Sequence, residues 1–227
     1  MAVHQASAEP VSSPPAIERR TQAERRSEAE RALLDAAMRL FARHGVEPTS
    51  LADIGEEAGY SRGLVNHHFG SRAALVERLA RRGQRRFVRA VEDIDDEPGP
   101  EQVAAVADTY LGLFEHPTDD LRAFFVMRGT AIPSEATLRA TYAEDDQRVR
   151  RNFERLITTG QRAGTIAAQV DAVAFATMLI GMLRGVGTQA LVAPEAVDLA
   201  AVRRQVRSLV LTTLSPATGS SNDAEAS

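Results

Sequence analysis

TSLADIGEEAGYSRGLVNHHFGSR, residues 49–72, is the stretch that decides the fold. Thr49 and Ser50 place hydroxyls where a helix N-terminus leaves backbone N–H groups without partners. Leu51, Ile54 and Ala58 follow at helical spacing as one apolar stripe, with Ala52, Asp53, Glu56 and Glu57 on the other face. Gly59 ends this helix, as glycine does where the chain needs a left-handed residue. Ser61 caps a second helix over Arg62 to Phe69, in which Val65 and Phe69 face inward together and Arg62, Gly63, Asn66 and His67 are left outside. Gly70 stops it and Ser71 opens a third. Two short helices joined by a glycine turn, the second with a polar, basic outer face, describe a helix-turn-helix, whose second helix enters the DNA major groove. Periodicity alone suits three packed helices of any small bundle equally well.

The flanks decide between the two. RALLDAAMRLFARHG precedes the motif, GSRAALVERL closes it, and with them residues 28 to 80 resemble the DNA-binding domain of the TetR family of transcriptional regulators. The resemblance implies phosphate contacts from Thr49, Ser50, Ser61, His68 and Arg72. It implies base contacts from Arg62, Gly63 and Leu64, with Asn66, His67 and His68 in a run that is usually aromatic in the family. Asn66 stands where tyrosine is common and brings an amide that can pair with adenine. Leu64 can meet a thymine methyl or simply pack, so an unusual operator is expected. Gly55 stands where relatives often have alanine, at a cost of about 0.5–1 kcal/mol in a helix interior.

Charge is divided along the chain. The net charge is −4, yet residues 17–90 hold fifteen Arg against ten acids, and the remainder twelve Arg against twenty-one. A basic portion beside an acidic one suits one region that faces DNA and one that avoids it. Cysteine is absent, which excludes disulfides and cysteine metal or redox sites. The polar N-terminus has no signal-peptide run, and no stretch approaches the ~20 apolar residues of a membrane span, so a soluble cytoplasmic protein is expected.

The expected fold is all-α, an N-terminal three-helix helix-turn-helix domain plus a larger C-terminal helical domain for ligand binding and dimerisation. Residues 1–24 read as a disordered tail, 25–80 as the DNA-binding domain, 81–214 as the larger domain and 215–227 as a second disordered tail. Helices are predicted over about 27–44, 71–91, 101–115, 118–132, 134–163, 172–191 and 198–214, besides the two of the motif. Arg81, Arg82, Arg85, Arg86 and Arg89 read as a solvated helix face away from DNA. Residues 172–191 are apolar nearly all round, so that helix must be covered on several sides; Gly181, Gly185 and Gly187 would admit another helix closely. TetR relatives pair their last two helices with those of a second subunit, which implies a homodimer here.

No catalytic constellation stands out. His67 and His68 point about 100° apart and make no metal pair. Glu144, Asp145 and Asp146 read as a solvated acidic face, and no phosphate-binding loop or nucleophile elbow is present. No catalytic residue, cofactor or metal is therefore assigned. The leading expectation is a non-enzymatic repressor that binds a palindromic double-stranded DNA operator as a homodimer and is released by a small, largely apolar effector. The alternative is a helical carrier or sequestering protein whose DNA-binding domain is vestigial. Candidate pocket residues are Phe87, Tyr110, Phe114, Phe125, Met127, Phe153 and Met178, each of which could equally fill the core. Arg128 and Arg184 are the charges placed to meet an anionic ligand group.

Overall fold

The computed structural model describes residues 21–92, 97–132 and 136–217. Among them are nine α-helices: α1 (Gln22–His44), α2 (Leu51–Ala58), α3 (Arg62–Phe69), α4 (Arg72–Glu92), α5 (Pro100–Gly112), α6 (Asp119–Ala131), α7 (Ala136–Ala163), α8 (Ala172–Val192) and α9 (Leu199–Leu214). A short 3-10 turn, Pro194–Ala196, lies between the last two.

Local chemistry sets most of the boundaries. α1 begins five residues earlier than predicted, because Thr21 and Glu24 form a capping box in which each side chain accepts the other's backbone N–H. Residues 21–24 are therefore the cap and first turn of a helix rather than part of a tail. The expectations for residues 1–20 and 218–227 lie outside the described residues. Ser50, Thr118, Asp171 and Asp198 cap α2, α6, α8 and α9 through their side chains. Pro100 opens α5 at a position where its missing N–H costs nothing. That helix stops short of residue 115 because Leu113, Phe114 and Glu115 tighten into three-residue turns.

Two apolar cores result. The first joins Leu33, Phe41, Ile54, Val65, Leu75 and Leu79 with Phe124, Met127 and Tyr142, so α6 and α7 complete the core of the N-terminal helices. The predicted division at residue 80 thus does not coincide with a break in packing. The second holds α5, α7, α8 and α9 together through side chains such as Leu111, Ile157, Leu179 and Val210. α9 is also tied to α5 by Arg203, which reaches Asp108 at 2.6 Å and pairs with Glu115.

Two glycines are explained by close approach. A Cβ at Gly55 would lie 2.8 Å from the Tyr60 carbonyl oxygen, so the turn into α3 folds directly over α2 and alanine would push it away. At Gly187 a Cβ would enter the Phe114 ring. Gly181 and Gly185 have open space instead.

α8 departs from the membrane expectation. It is 21 residues long with a mean hydropathy of 1.3 over its most apolar window, enough by length and composition to cross a bilayer. Only 33% of that window is buried. One side, through Ala176, Leu179, Ile180 and Leu183, enters the core. The other leaves Val173, Met178, Gly181, Gly185, Thr188 and Val192 exposed, a face without a single charge.

Candidate nucleic-acid interface and interior cavity

The helix-turn-helix is organised by its caps. The Ser50 hydroxyl accepts the Asp53 N–H while the Asp53 carboxylate accepts the Ser50 N–H, and Ser50 holds the Asp53 carboxyl below its ordinary value. Gly59 takes the left-handed conformation at φ 75°, and the Ser61 hydroxyl accepts the Leu64 N–H at the start of α3. Val65 and Phe69 anchor α3 in the core. This leaves Arg62, Gly63, Asn66 and His67 exposed together, as their spacing predicts, with Leu64 half-buried at the edge.

Of the other residues of the expected interface, Thr49 and Arg72 are bonded internally and His68 is partly buried. Thr49 is 3% exposed and its hydroxyl donates to the Gly45 carbonyl, so it closes the α1–α2 turn and Ser50 alone is the cap. Arg72 donates to the carbonyls of Val46 and Glu47, bracing that same turn from the start of α4. His68 is half-buried with Nδ1 lacking a hydrogen-bond partner; burial lowers its pKa, which favours the neutral imidazole at pH 7. Of the α4 arginines, Arg81 pairs with Glu77 and Glu144, and Arg82 with Asp35. The side chains of Arg85, Arg86 and Arg89 lie outside the described residues.

The larger region is built around charge. Asp145 and Asp146 are not a solvated face: Asp145 is 1% exposed, and Arg128 clasps Asp146 with both terminal nitrogens at 2.8 and 2.7 Å. Arg184 reaches Asp146 at 2.6 Å and Asp145 at 3.5 Å. The two arginines placed to meet an anionic ligand are therefore already held by carboxylates. Periodicity contained this signal. Tyr142, Asp145, Val149, Phe153 and Leu156 recur in the phase of the inward stripe of α7, so Asp145 had to be buried.

Beside this cluster lies a cavity of about 340 Å³, walled by Tyr110, Leu121, Phe124, Phe125, Asp145 and Arg184 among others. A broader groove of about 850 Å³ runs between α6, α7 and α8, and Phe125 and Arg184 separate the two. Of the predicted pocket residues, Tyr110 and Phe125 line the smaller cavity. Phe114 stands behind that wall, its ring 5.5 Å from Phe125. Met127 and Phe153 are buried in the first and second cores respectively. Met178 is 71% exposed on the outer face of α8, and the Phe87 side chain lies outside the described residues. The sequence reading missed Phe124, Asp120 and His116, which also line the cavity. No group of residues arranged to hold a metal is found among those described.

A capped three-helix unit that presents arginine, asparagine and histidine from its third helix, joined to a helical region with an interior cavity, is a DNA-binding regulator in form. The chain belongs to the TetR family of bacterial regulatory proteins. The family's N-terminal model matches residues 33–79, and the BetI-type transcriptional repressor C-terminal model matches residues 99–215. The chain is 26% identical over 170 residues to the transcriptional repressor AcnR of Corynebacterium glutamicum, covering 70% of this chain and 81% of that protein. It is 44% identical to the transcriptional regulator TtgR of Pseudomonas putida over 61 residues, 27% of this chain and 29% of that protein. In structure it is similar to a transcriptional regulator from Saccharomonospora viridis solved in complex with choline, with a TM-score of 0.73 and 23% identity over 83% of this chain and 98% of that one. The protein is a DNA-binding transcriptional regulator of repressor type.

Proposed function

We propose that the protein represses transcription by binding a palindromic operator in the cytoplasm as a homodimer, and that a small effector bound within the larger helical region releases it. The exposed row Arg62, Asn66 and His67 on a capped α3 carries this reading, because exposed side chains along the recognition helix of such a motif meet base edges. The uncharged outer face of α8, continued by Leu209 at 45% exposure on α9, supports a second copy as the cover. Two half-sites must then be read together, about 34–36 Å apart or a multiple of it.

Release follows from how the cores are joined. Phe124 walls the cavity, belongs to the core of the DNA-binding helices, and lies 3.2 Å from where a Cβ at Gly83 of α4 would stand. A ligand that displaces Phe124 or Phe125 moves α4, and with it the separation of the two α3 helices. It shifts that equilibrium only by its differential affinity for the two states, with coupling of roughly 1–3 kcal/mol. The test is sedimentation and operator titration of wild type and Gly185→Arg. Wild type should be a dimer at micromolar concentration, and the variant a monomer or aggregate without specific DNA binding. A well-folded wild-type monomer that binds operator as tightly would overturn the dimer reading.

A further inference from the structure

Asp145, 1% exposed, is the only fully buried acid among the described residues. Asp146 holds two guanidiniums at hydrogen-bonding distance, whereas Asp145 touches only the edge of Arg184 at 3.5 Å, beyond the range of a good charged hydrogen bond. Its Oδ1 is buried with no hydrogen-bond partner. Leaving a buried carboxylate oxygen unmatched is unfavourable, and proteins relieve it by protonation or by a donor. Burial accordingly raises the Asp145 pKa.

The surroundings say which kind of donor fits. Asp145 lines the cavity of about 340 Å³, together with Asp120, Tyr110 and Arg184, and Arg184 is shared between Asp145 and Asp146. Two acids, Asp120 and Asp145, thus line this space with a single arginine, Arg184, which Asp146 also holds. An anionic guest would meet a carboxylate and no uncommitted cation. Apart from Tyr110, His116 and Thr118 the remaining wall is apolar, with Leu121, Phe124 and Phe125.

We propose that this cavity binds a small amphiphilic amine, whose ammonium N–H donates to Asp145 Oδ1 while its apolar body packs on Phe124 and Phe125. The assignment rests on the effector reading above and narrows it: the guest is a cation that keeps at least one N–H, so a primary amine is preferred to its trimethylated form. An amine N–H supplies the missing partner and the missing charge together, whereas an alcohol supplies only the first.

The test is calorimetric titration of the full-length protein with phenethylamine, its N,N,N-trimethyl derivative, 2-phenylethanol and 3-phenylpropionate. The amine should bind about tenfold or more tightly than the alcohol, as expected for a hydrogen bond to a charged group. The trimethyl compound should fall between them and the carboxylate should not bind. Asp145→Asn should bring amine and alcohol within about twofold of each other, the charge being gone. The wild-type series stands without that variant if it folds poorly, and Leu121→Trp, which narrows the cavity, should weaken amine and alcohol alike. Equal binding of amine and alcohol, tight binding of the carboxylate, or no binding by any probe would overturn the proposal. Operator titration with the same probes separates the two readings. An alcohol that binds equally and still releases DNA defeats the amine and keeps the effector. An Asp145-dependent amine that leaves operator affinity unchanged keeps the amine and defeats the effector.

Discussion

The helix-turn-helix and the region around α6, α7 and α8 treat their polar groups in opposite ways. From Ser50 to Ser71 the cap positions are filled by neighbouring side chains, the interior is apolar, and the polar residues without an internal role stand in water on α3. Around α7 the charges are inside, where Arg128 and Arg184 hold Asp146 and Asp145 beside a cavity. The first region makes a partner surface out of contiguous sequence. The second lines a cavity with side chains drawn from five successive helices, Gly83 of α4 to Arg184 of α8, beside an ion-pair cluster.

That contrast can be attacked from its strongest point downward. Asp146→Ala removes the carboxylate that two guanidiniums share and should destabilise the protein by about 3–5 kcal/mol, toward the lower figure because the site is a quarter open to water. Urea denaturation measures it, and a cost under about 1 kcal/mol would show the cluster to be no more than a surface pair. Gly187→Ala should cost about 1–3 kcal/mol, because Phe114 is held between Tyr110 and Phe125 and cannot yield to the added methyl. Thermal melting checks this, and a neutral result would mean that α8 shifts freely against α5.

In the DNA-binding region the effects should be smaller on stability and larger on recognition. Asn66→Ala should leave the melting temperature alone and lower discrimination between operators by about 1–3 kcal/mol. Competition binding with single-base operator variants reads it, and uniform weakening on all DNA would move Asn66 to a backbone contact. Ser50→Ala should cost about 1 kcal/mol of stability, since one hydroxyl is lost from the capping box while the core is untouched. No loss at all would indicate that α2 is held by packing alone.

The two regions were unequally legible in the sequence, for a physical reason. Caps, left-handed glycines and the stripe Leu51, Ile54, Ala58 act over three or four residues, so the order of residues reveals them. α2 and α3 accordingly begin and end where predicted. The phase of Asp145 with Tyr142 and Val149 marks it as inward, but its partner Arg184 arrives from another helix, which no local spacing encodes. Thr49 and Arg72 have internal bonds that the sequence hides for a related reason. Both look like surface groups in sequence, and both close the α1–α2 turn through carbonyls supplied by the turn itself. Met178 was read into a pocket because residues 172–191 are apolar on every side, and hydrophobicity alone does not tell a core face from a face awaiting a partner.

The central claim is that α3, doubled by pairing through α8, reads a two-fold symmetric DNA site. Selection of full-length protein against random duplexes, followed by sequencing of the bound pool, tests it most directly. The expected result is an inverted repeat with half-site centres about 10 base pairs apart or a multiple of that, lost when Arg62 and Asn66 are both changed to Ala. A bound pool with no common motif, or a motif unchanged in the double variant, would contradict it.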